Sequence, residues 1–527
     1  MDLELALTTV LAVVVLLLIA AQFTRVPYPI LLVLGGLGLA LLPPVPDVEL
    51  DPDLVLSVIL PPLLYAAAYF TPLRELRRNV REISALAVGL VLATMVGVAL
   101  VAHLALGFDW APAFVLGAIV SPTDPVAATA IARRLGIPGR IVAIVEGESL
   151  INDGTALVAY KFAVAAVVTG AFSLLDATGE FFVTVLGGIA FGIVAGAAIA
   201  FVRRRIDAPP VEVTIALFSG YFAYLPAEAI GVSGILAAVT VGIYMGRQTS
   251  VLTTPTTRIQ GEAVWEIVQF LLNSALFVLV GLQLPGILDA IDGDHTGELI
   301  LDGALIAASV ILIRLMWVVP FTYLPRLLIP RDKRGPTPPW RHTLIVAWTG
   351  MRGAVSLAAA LALPLFVDAG GSFPERDLII FLSFSVILGT LLLQGFTLPP
   401  LIQALGLDDA DEVLELEELT ARQRSAEAAL ARLEELTGED WVMDDTADRV
   451  RGAYNYRYRR FSARIDDGDG KSAIYEERSE SFQRLTRELL EAQRTVLIRM
   501  RDDGDINDDV LRTLERELDL EDSRLEI

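Results

Sequence analysis

A ten-residue stretch near the first third of the chain, 147–156, carries acidic and polar side chains inside an apolar segment. The stretch reads GESLINDGTA, and the surrounding segment 141–168 is long enough to cross a bilayer. Its two carboxylates, Glu148 and Asp153, would lie at membrane depth, where an ionisable group costs roughly 2.5–3.5 kcal/mol on insertion scales. Such groups persist where they pair, line a water-filled cavity or carry ions.

The spacing of these side chains indicates what chemistry they could do. On a helix Ser149 and Asp153 share one face, and Glu148 and Asn152 share the adjacent face. Carboxylate and hydroxyl oxygens are the ligands that hard cations prefer. Burial favours the protonated or cation-bound forms of a carboxylate, so a proton and a cation can compete for it. The alternative is a polar patch that only joins neighbouring helices.

Composition indicates a membrane protein that crosses the bilayer many times. Of the 527 residues, 54% are hydrophobic, more than a soluble protein of this length contains. The first apolar segment, 3–23, has no basic region before it and is too long for a signal-peptide core, so it predicts a spanning helix. The chain has no cysteine, which excludes disulfides and thiolate metal sites, and its three histidines are scattered. No nucleophile–base set or phosphate loop points to a membrane enzyme.

Hydropathy predicts an all-α polytopic membrane protein with thirteen transmembrane helices. The predicted spans are 3–23, 28–43, 53–70, 83–106, 110–135, 139–169, 180–202, 211–227, 231–246, 260–284, 299–325, 342–367 and 376–405. Arginine and lysine residues fall in alternate loops, and Arg376 is the only cation in the other loops. This asymmetry places the N-terminus outside and the C-terminus in the cytoplasm, and it requires an odd number of spans.

Two of these spans are interrupted. The fifth contains Ser-Pro-Thr-Asp-Pro at 121–125, whose prolines remove backbone donors, and the twelfth contains Thr-Gly-Met-Arg-Gly at 349–353. Paired interruptions at corresponding positions indicate a transport site at an inverted repeat. Because seven crossings separate them, we predict two inverted six-helix repeats, spans 1–6 and 8–13, with broken helices 5 and 12. The alternative is two unrelated kinked helices.

The composition changes after residue 405. Residues 406–527 contain 34 acidic and 19 basic residues, so they carry −15 of the net charge of −22. Runs such as 413–436 and 474–500 have helical spacing with many charges. The sequence therefore predicts a transmembrane transport domain over 1–405 and an acidic helical cytoplasmic domain over 406–527. Its aspartate-rich turns lack the glycine and glutamate positions of a calcium loop.

Three motifs in order carry a resemblance to a known family. They are SPTDPVAA at 121–128, GESLINDGTA at 147–156 and TGMRGAVSLAAAL at 349–361. Over about residues 5–405 the chain resembles the monovalent cation:proton antiporter family of the NhaP type, which is related to eukaryotic sodium/proton exchangers. The resemblance implies a secondary active transporter that exchanges Na⁺ or Li⁺ for H⁺ by alternating access and serves pH homeostasis. It also implies a homodimer in the plasma membrane that needs no cofactor.

The resemblance implies roles for individual residues at the ion site. Asp153 would bind either Na⁺ or H⁺, and Ser149 and the backbone carbonyl of Thr123 would be further oxygen ligands. Asp124 lies in the break of the fifth span, where helix N-termini place partial positive charge. We expect it to be permanently ionised and not to carry the transported proton; a role as an ion ligand is the alternative.

Other positions would support the site. Asn152 would be the amide that holds the broken fifth helix, and Glu148 would pair with Arg352. Arg314 in the eleventh span is expected to join helices. The family often has an acid where Ala66 stands, and its absence leaves the ion preference open.

These roles lead to a predicted stoichiometry. Asn152 cannot titrate, Arg352 stays charged and helix N-termini keep Asp124 ionised. Asp153 alone then changes its charge, which predicts electroneutral 1:1 exchange. The alternatives are a K⁺/H⁺ antiporter of the same fold and a passive cation channel, whose flux would not be linked to protons.

Overall fold

The computed structural model describes residues 12, 15–17, 19, 20, 23, 24, 26–41, 51–170, 174–289, 296–328, 339–406, 411–466 and 471–526. Most of the predicted first span, 3–23, therefore lies outside the described residues. The chain divides into two compact units, Met1–Asp408 and Asp409–Ile527. Their roles as a membrane domain and a cytoplasmic domain stay predictions.

Helices cover the predicted second to thirteenth spans of the first unit. They are α1 Tyr28–Ala40, α2 Pro52–Phe70, α3 Leu73–Arg78, α4 Val80–Ala105, α5 Trp110–Val120, α6 Pro125–Arg134, α7 Gly139–Thr169, α8 Leu174–Arg203, α9 Pro209–Ala229, α10 Gly234–Leu252, α11 Pro255–Leu282, α12 Leu284–Asp289, α13 Thr296–Leu328, α14 Trp340–Trp348, α15 Ala354–Leu361 and α16 Arg376–Leu405. In the described part of the chain, eight helical stretches are long and apolar enough to cross a membrane. The polytopic all-α class is confirmed, whereas the number thirteen and the inverted repeats stay predictions.

These helices pack as two bundles within the first unit. In one bundle, α2, α8 and α9 pack around α10, and α1 packs along α11. In the other, α5 packs between α4 and α7, and α13 packs against α4 and α16. Close packing rests on small residues, as is usual between membrane helices. Gly36 of α1 and Gly281 of α11 lie where the two helices touch, and a Cβ on either glycine would overlap the backbone of the other helix.

Both predicted interruptions are present. Residues 121–124 separate α5 from α6, and residues 349–353 separate α14 from α15. Pro125 occupies the first position of α6, where its missing N–H is not needed. The carboxylate of Asp124 caps the same helix by accepting a hydrogen bond of 2.8 Å from the backbone N–H of Val126. The proline and the aspartate thus define where the second half-helix begins.

Within residues 411–466 and 471–526, the second unit contains four charged α-helices. They are α17 Asp411–Leu436, α18 Asp444–Ile465, α19 Lys471–Asp502 and α20 Asp508–Ser523. α17 packs on α18, and α19 packs on α18 and α20. Gln423 of α17 donates a hydrogen bond of 2.9 Å to Ser462 of α18, and Arg460 of α18 pairs with Glu476 of α19 at 3.1 Å. Polar contacts of this kind suit a unit with few buried apolar side chains.

Candidate functional site

The two broken helices cross at their breaks. The backbone N–H of Asp124 donates to the carbonyl of Met351 at 2.8 Å. Gly353 allows this approach, since a Cβ there would overlap the Asp124 carboxylate. A glycine in the second break therefore brings an acid of the first break to the crossing point. The sequence predicted both breaks, and the structure joins them.

Arg352 binds backbone carbonyls at this crossing. Its Nε donates to the carbonyl of Val120 at 3.1 Å, and its Nη1 donates to the carbonyl of Gly350. Its own N–H donates to the hydroxyl of Thr390 at 3.2 Å. The C-terminal ends of helices carry unsatisfied carbonyls and partial negative charge. The guanidinium therefore stabilises the end of α5 and the break after α14 together.

Side chains of α7 hold the first break in place. The hydroxyl of Ser149 donates to the carbonyl of Thr123 at 2.9 Å, and the amide of Asn152 donates to the Thr123 hydroxyl at 2.8 Å. That hydroxyl in turn donates to Glu148 at 3.2 Å. The predicted contact between Asn152 and the broken fifth helix is therefore present. One turn of α7 fixes the position of a single threonine through both its backbone and its side chain.

Glu148 forms its ion pair with Arg314, so the predicted partner, Arg352, was wrong. Nη2 of Arg314 lies 2.8 Å from one carboxylate oxygen, and Nη1 contacts the other. Both side chains are almost fully buried, at 0% and 1% exposure. Arg314 also donates to the carbonyl of Val346 at 2.9 Å, so it joins α13 to α7 and α14, as expected. Sequence reasoning missed the pair, although Arg314 is the only charged residue between 303 and 325.

Asp153 and Asp124 line a common cavity of about 640 Å³ between the two bundles. Ser149 and Thr123 line it too, so the carboxylates and the predicted oxygen ligands share one space. Ala66 of α2 also faces the cavity and offers it only a methyl group. Because the two carboxylates border one cavity, they repel each other when both are ionised. A cation or a proton bound between them would relieve this repulsion.

Acidic residues of α11 extend the negative charge of the cavity. Glu262, Glu266 and Gln269 lie on one face of α11 and line the cavity. Glu146 also lines it and pairs with Arg133 at 2.9 Å. Arg133 also lines the cavity, but the acids outnumber it, and an excess of negative charge in a cleft raises the local concentration of cations. These acids were not predicted from the sequence, although their spacing on the predicted tenth span could have placed them on one helix face.

Two broken helices that cross beside a cavity with paired acids define a membrane ion transporter. The family described as sodium/hydrogen exchanger, transmembrane, matches residues 9–404. The chain belongs to this family, whose members are cation/proton antiporters and not enzymes.

Similar proteins share most of the chain. An uncharacterized Na⁺/H⁺ exchanger of Mycobacterium tuberculosis is 38% identical over 508 residues, which is 95% of this chain and 92% of the relative. The Na⁺/H⁺ antiporter ApNhaP of Aphanothece halophytica is 35% identical, with 81% and 79% covered. A sodium, potassium, lithium and rubidium/H⁺ antiporter of Bacillus subtilis is 36% identical, with 76% and 62% covered.

A solved structure has the same fold. The sodium proton antiporter MjNhaP1 of Methanocaldococcus jannaschii matches with a TM-score of 0.59 at 19% identity. The match covers 77% of this chain and all of that protein. At this identity the likeness supports the fold, and the chemistry of the site must be argued from the residues of this chain.

Proposed function

We propose that this antiporter exchanges Na⁺ or Li⁺ for H⁺ at Asp153, one ion for one proton. One observation carries the proposal: Asp153 faces the cavity, whereas the charges of Glu148, Arg314 and Arg352 are already paired with each other or with backbone carbonyls. The proton and the cation then occupy the same carboxylate in turn. Ser149 and the carbonyl of Thr123 complete the oxygen ligands for the cation.

The stoichiometry follows from the neighbours of Asp153. Asp124 accepts the backbone N–H of Val126 at the N-terminus of α6, a position that favours the ionised form. Asn152 is an amide and does not titrate. With Asp153 as the only group that changes its protonation, each half-cycle moves the same net charge, and exchange is electroneutral.

The choice of cation depends on a small set of oxygens. Ala66 supplies none, so Asp153, Ser149 and Thr123 form the candidate ligand set. One relative is named as a sodium, potassium, lithium and rubidium/H⁺ antiporter, which supports keeping K⁺ open for this chain. K⁺/H⁺ exchange is therefore the second candidate for this chain, and a direct comparison of ions must separate the two.

The cavity also supports alternating access. It lies between the two bundles, with α1, α2 and α11 on one side and α6, α7 and α15 on the other. A movement of one bundle against the other would close this route to Asp153 and open another. The cavity reaches Arg133 and Glu146, near loops that the positive-inside rule assigns to the cytoplasm. We infer that this structure is open to the cytoplasm; the plasma-membrane location, the external N-terminus and the homodimer stay predictions.

Proteoliposomes test the proposal directly. Proton flux is recorded with an internal pH dye after addition of Na⁺, Li⁺ or K⁺, for the native chain and for Asp153→Asn. The acid-to-amide control is Asp377→Asn, an exposed residue at the start of α16. We expect Asp153→Asn to lose exchange and the control to keep it. Exchange that persists in Asp153→Asn would contradict the site.

Stoichiometry and mechanism require a second measurement. The membrane voltage is clamped with valinomycin and K⁺ while Na⁺ drives the proton flux. Each uncompensated charge would feel about 2.3 kcal/mol per 100 mV, so electroneutral exchange predicts a flux independent of voltage. A flux that shifts with voltage would contradict the 1:1 ratio. A cation flux without proton movement would instead support the channel alternative.

A further inference from the structure

The helix α19 of the second unit has an exposed apolar stripe with a strict heptad spacing. Four of its side chains, Phe482, Leu485, Leu489 and Val496, are between 49% and 63% exposed. Ala492, the fifth, is also exposed. The steps between these residues are three, four, three and four. Over residues 482–496 the exposed apolar side chains keep to two positions of the heptad, which is typical of the seam of a coiled coil.

The stripe, which we call the α19 seam (482, 485, 489, 492 and 496), is separate from the face that packs inside the unit. Ser479 and Leu490 of the inner face are buried. Arg494 on that side pairs with Asp519 of α20 at 2.5 Å. The positions that flank the seam are polar: Thr486, Glu488, Gln493 and Thr495. α19 therefore presents a narrow apolar stripe outward while its other side holds the unit together.

We propose that the α19 seam pairs with the α19 seam of a second copy of this chain, as an antiparallel two-helix coiled coil. The period of the stripe favours an α-helix as the partner, because knobs-into-holes packing needs a matching 3.5-residue repeat. Each chain supplies such a helix. A lipid surface is disfavoured, since the unit carries a charge of −14 and anionic leaflets attract basic segments.

Side-chain volume favours the antiparallel orientation. With Leu485 opposite Leu489 of the second copy, Phe482 meets Ala492, a large side chain against a small one. In a parallel pair Phe482 would meet its own copy, and Ala492 would leave a void at its layer.

Charge favours the same orientation. The heptad continues at Arg478 and Arg499. A parallel pair would bring each of these arginines against its own copy. The antiparallel pair places Arg478 beside Val496 and Arg499 beside Tyr475. Like charges come close in this pair only where Glu488 approaches Glu488 of the second copy. The two arginine repulsions of the parallel pair are thereby avoided.

The proposed pair is short, and the membrane would compensate for this. Fifteen residues of helix span about 22 Å, which is little for a free dimer. Two chains in one bilayer hold their tails at a high effective concentration, which makes weak contacts sufficient. The inference does not depend on which ions are exchanged.

Cysteine cross-linking in membranes tests the pairing, because the native chain contains no cysteine. The full-length double variant Phe482→Cys with Ala492→Cys is compared with each single variant and with an exposed control pair off the seam, Glu480→Cys with Glu491→Cys. After mild oxidation, we expect the seam pair to shift from the monomer to the dimer band on non-reducing gels. The single variants and the control pair should stay monomeric.

Each other outcome overturns part or all of the proposal. A dimer band from Phe482→Cys alone would replace the antiparallel orientation with a parallel one. Equal dimer bands from the seam and control pairs would show proximity without a specific seam. If no variant gives a dimer band, a second copy is excluded as the partner. The reactivity of the seam cysteine with a soluble maleimide then shows whether the seam is open, with the same reactivity as the control, or covered by another surface. Because the substituted side chains are exposed, unchanged melting temperatures are expected to exclude misfolding.

Discussion

Breaking the buried pair of Glu148 and Arg314 should be the most damaging single charge change at the site. Both side chains are almost fully buried, and two guanidinium nitrogens contact the carboxylate. Arg314→Gln would leave the carboxylate uncompensated, at a cost of roughly 3–5 kcal/mol in the free energy of unfolding. It would also lose the bonds of Arg314 to the carbonyl of Val346, each worth about 1 kcal/mol.

The double variant should be milder than this single variant. Glu148→Gln removes the charge but keeps an oxygen that can accept the Thr123 hydroxyl. Glu148→Gln with Arg314→Gln therefore contains no unpaired buried charge, and its cost should fall below the sum of the two single changes by roughly 0.5–3 kcal/mol. The matched control is the partly exposed pair of Glu146 and Arg133, where Arg133→Gln should cost about 0–1 kcal/mol.

Thermal melting of the detergent-solubilised protein measures these differences. The expected order of melting temperatures is native, then Arg133→Gln, then the double variant, then Arg314→Gln. Simple additivity of the Glu148 and Arg314 changes would refute the pairing. A larger coupling between Glu148 and Arg352 than between Glu148 and Arg314 would also refute it, because it would favour the partner that the sequence alone suggested.

Three further predictions concern the crossing point, the ion competition and a loop acid. Gly353→Ala should displace the Asp124 carboxylate and reduce proteoliposome exchange strongly, whereas Gly139→Ala, whose Cβ would meet open space, should not; equal activities would contradict the crossing. If one carboxylate serves both ions, the apparent KM for Na⁺ should rise as pH falls while the maximal rate changes little, and a KM independent of pH would indicate separate sites. Burial, and to a smaller extent the charge of Asp109, raise the pKa of Glu375, so its ionisation destabilises the fold as pH rises through that pKa. Glu375→Gln should therefore raise the melting temperature at neutral pH but leave it unchanged below the usual pKa of a glutamate. Equal shifts in melting temperature at both pH values would contradict this.

The sequence predicted the local features of the site well, because they depend on short-range chemistry. The order Asp124-Pro125 favours the start of a helix, because aspartate can cap it and proline fits its first position. Ser149 and Asn152 lie within the same stretch of α7 as the acids Glu148 and Asp153. The shared turn needs only helix geometry. The contact of Asn152 with the broken helix was instead implied by the family resemblance, and the structure contains it.

The features that the sequence did not predict depend on which helices meet. The sequence analysis predicted Arg352 as the partner of Glu148, although Arg314 also lies within a predicted span. The choice was decided by α13, which brings Arg314 to the carboxylate, and by the carbonyls of the breaks, which occupy Arg352. Glu262 and Glu266 were missed for the same reason, since a charge pattern does not say which face of α11 borders a cavity.

In the proposed mechanism, two buried arginines help to leave the transport chemistry to an aspartate. Arg314 pairs with Glu148, and the Arg352 side chain donates to the carbonyls of Val120 and Gly350, so no ion pair among the described residues joins either arginine to Asp153. Asp124 caps the N-terminus of α6, and in the proposed mechanism it supplies the fixed negative charge beside Asp153. A fixed anion next to a titrating one favours whichever cation is present, Na⁺ or H⁺. On this argument the exchange ratio is set by the groups that do not change charge as much as by the one that does.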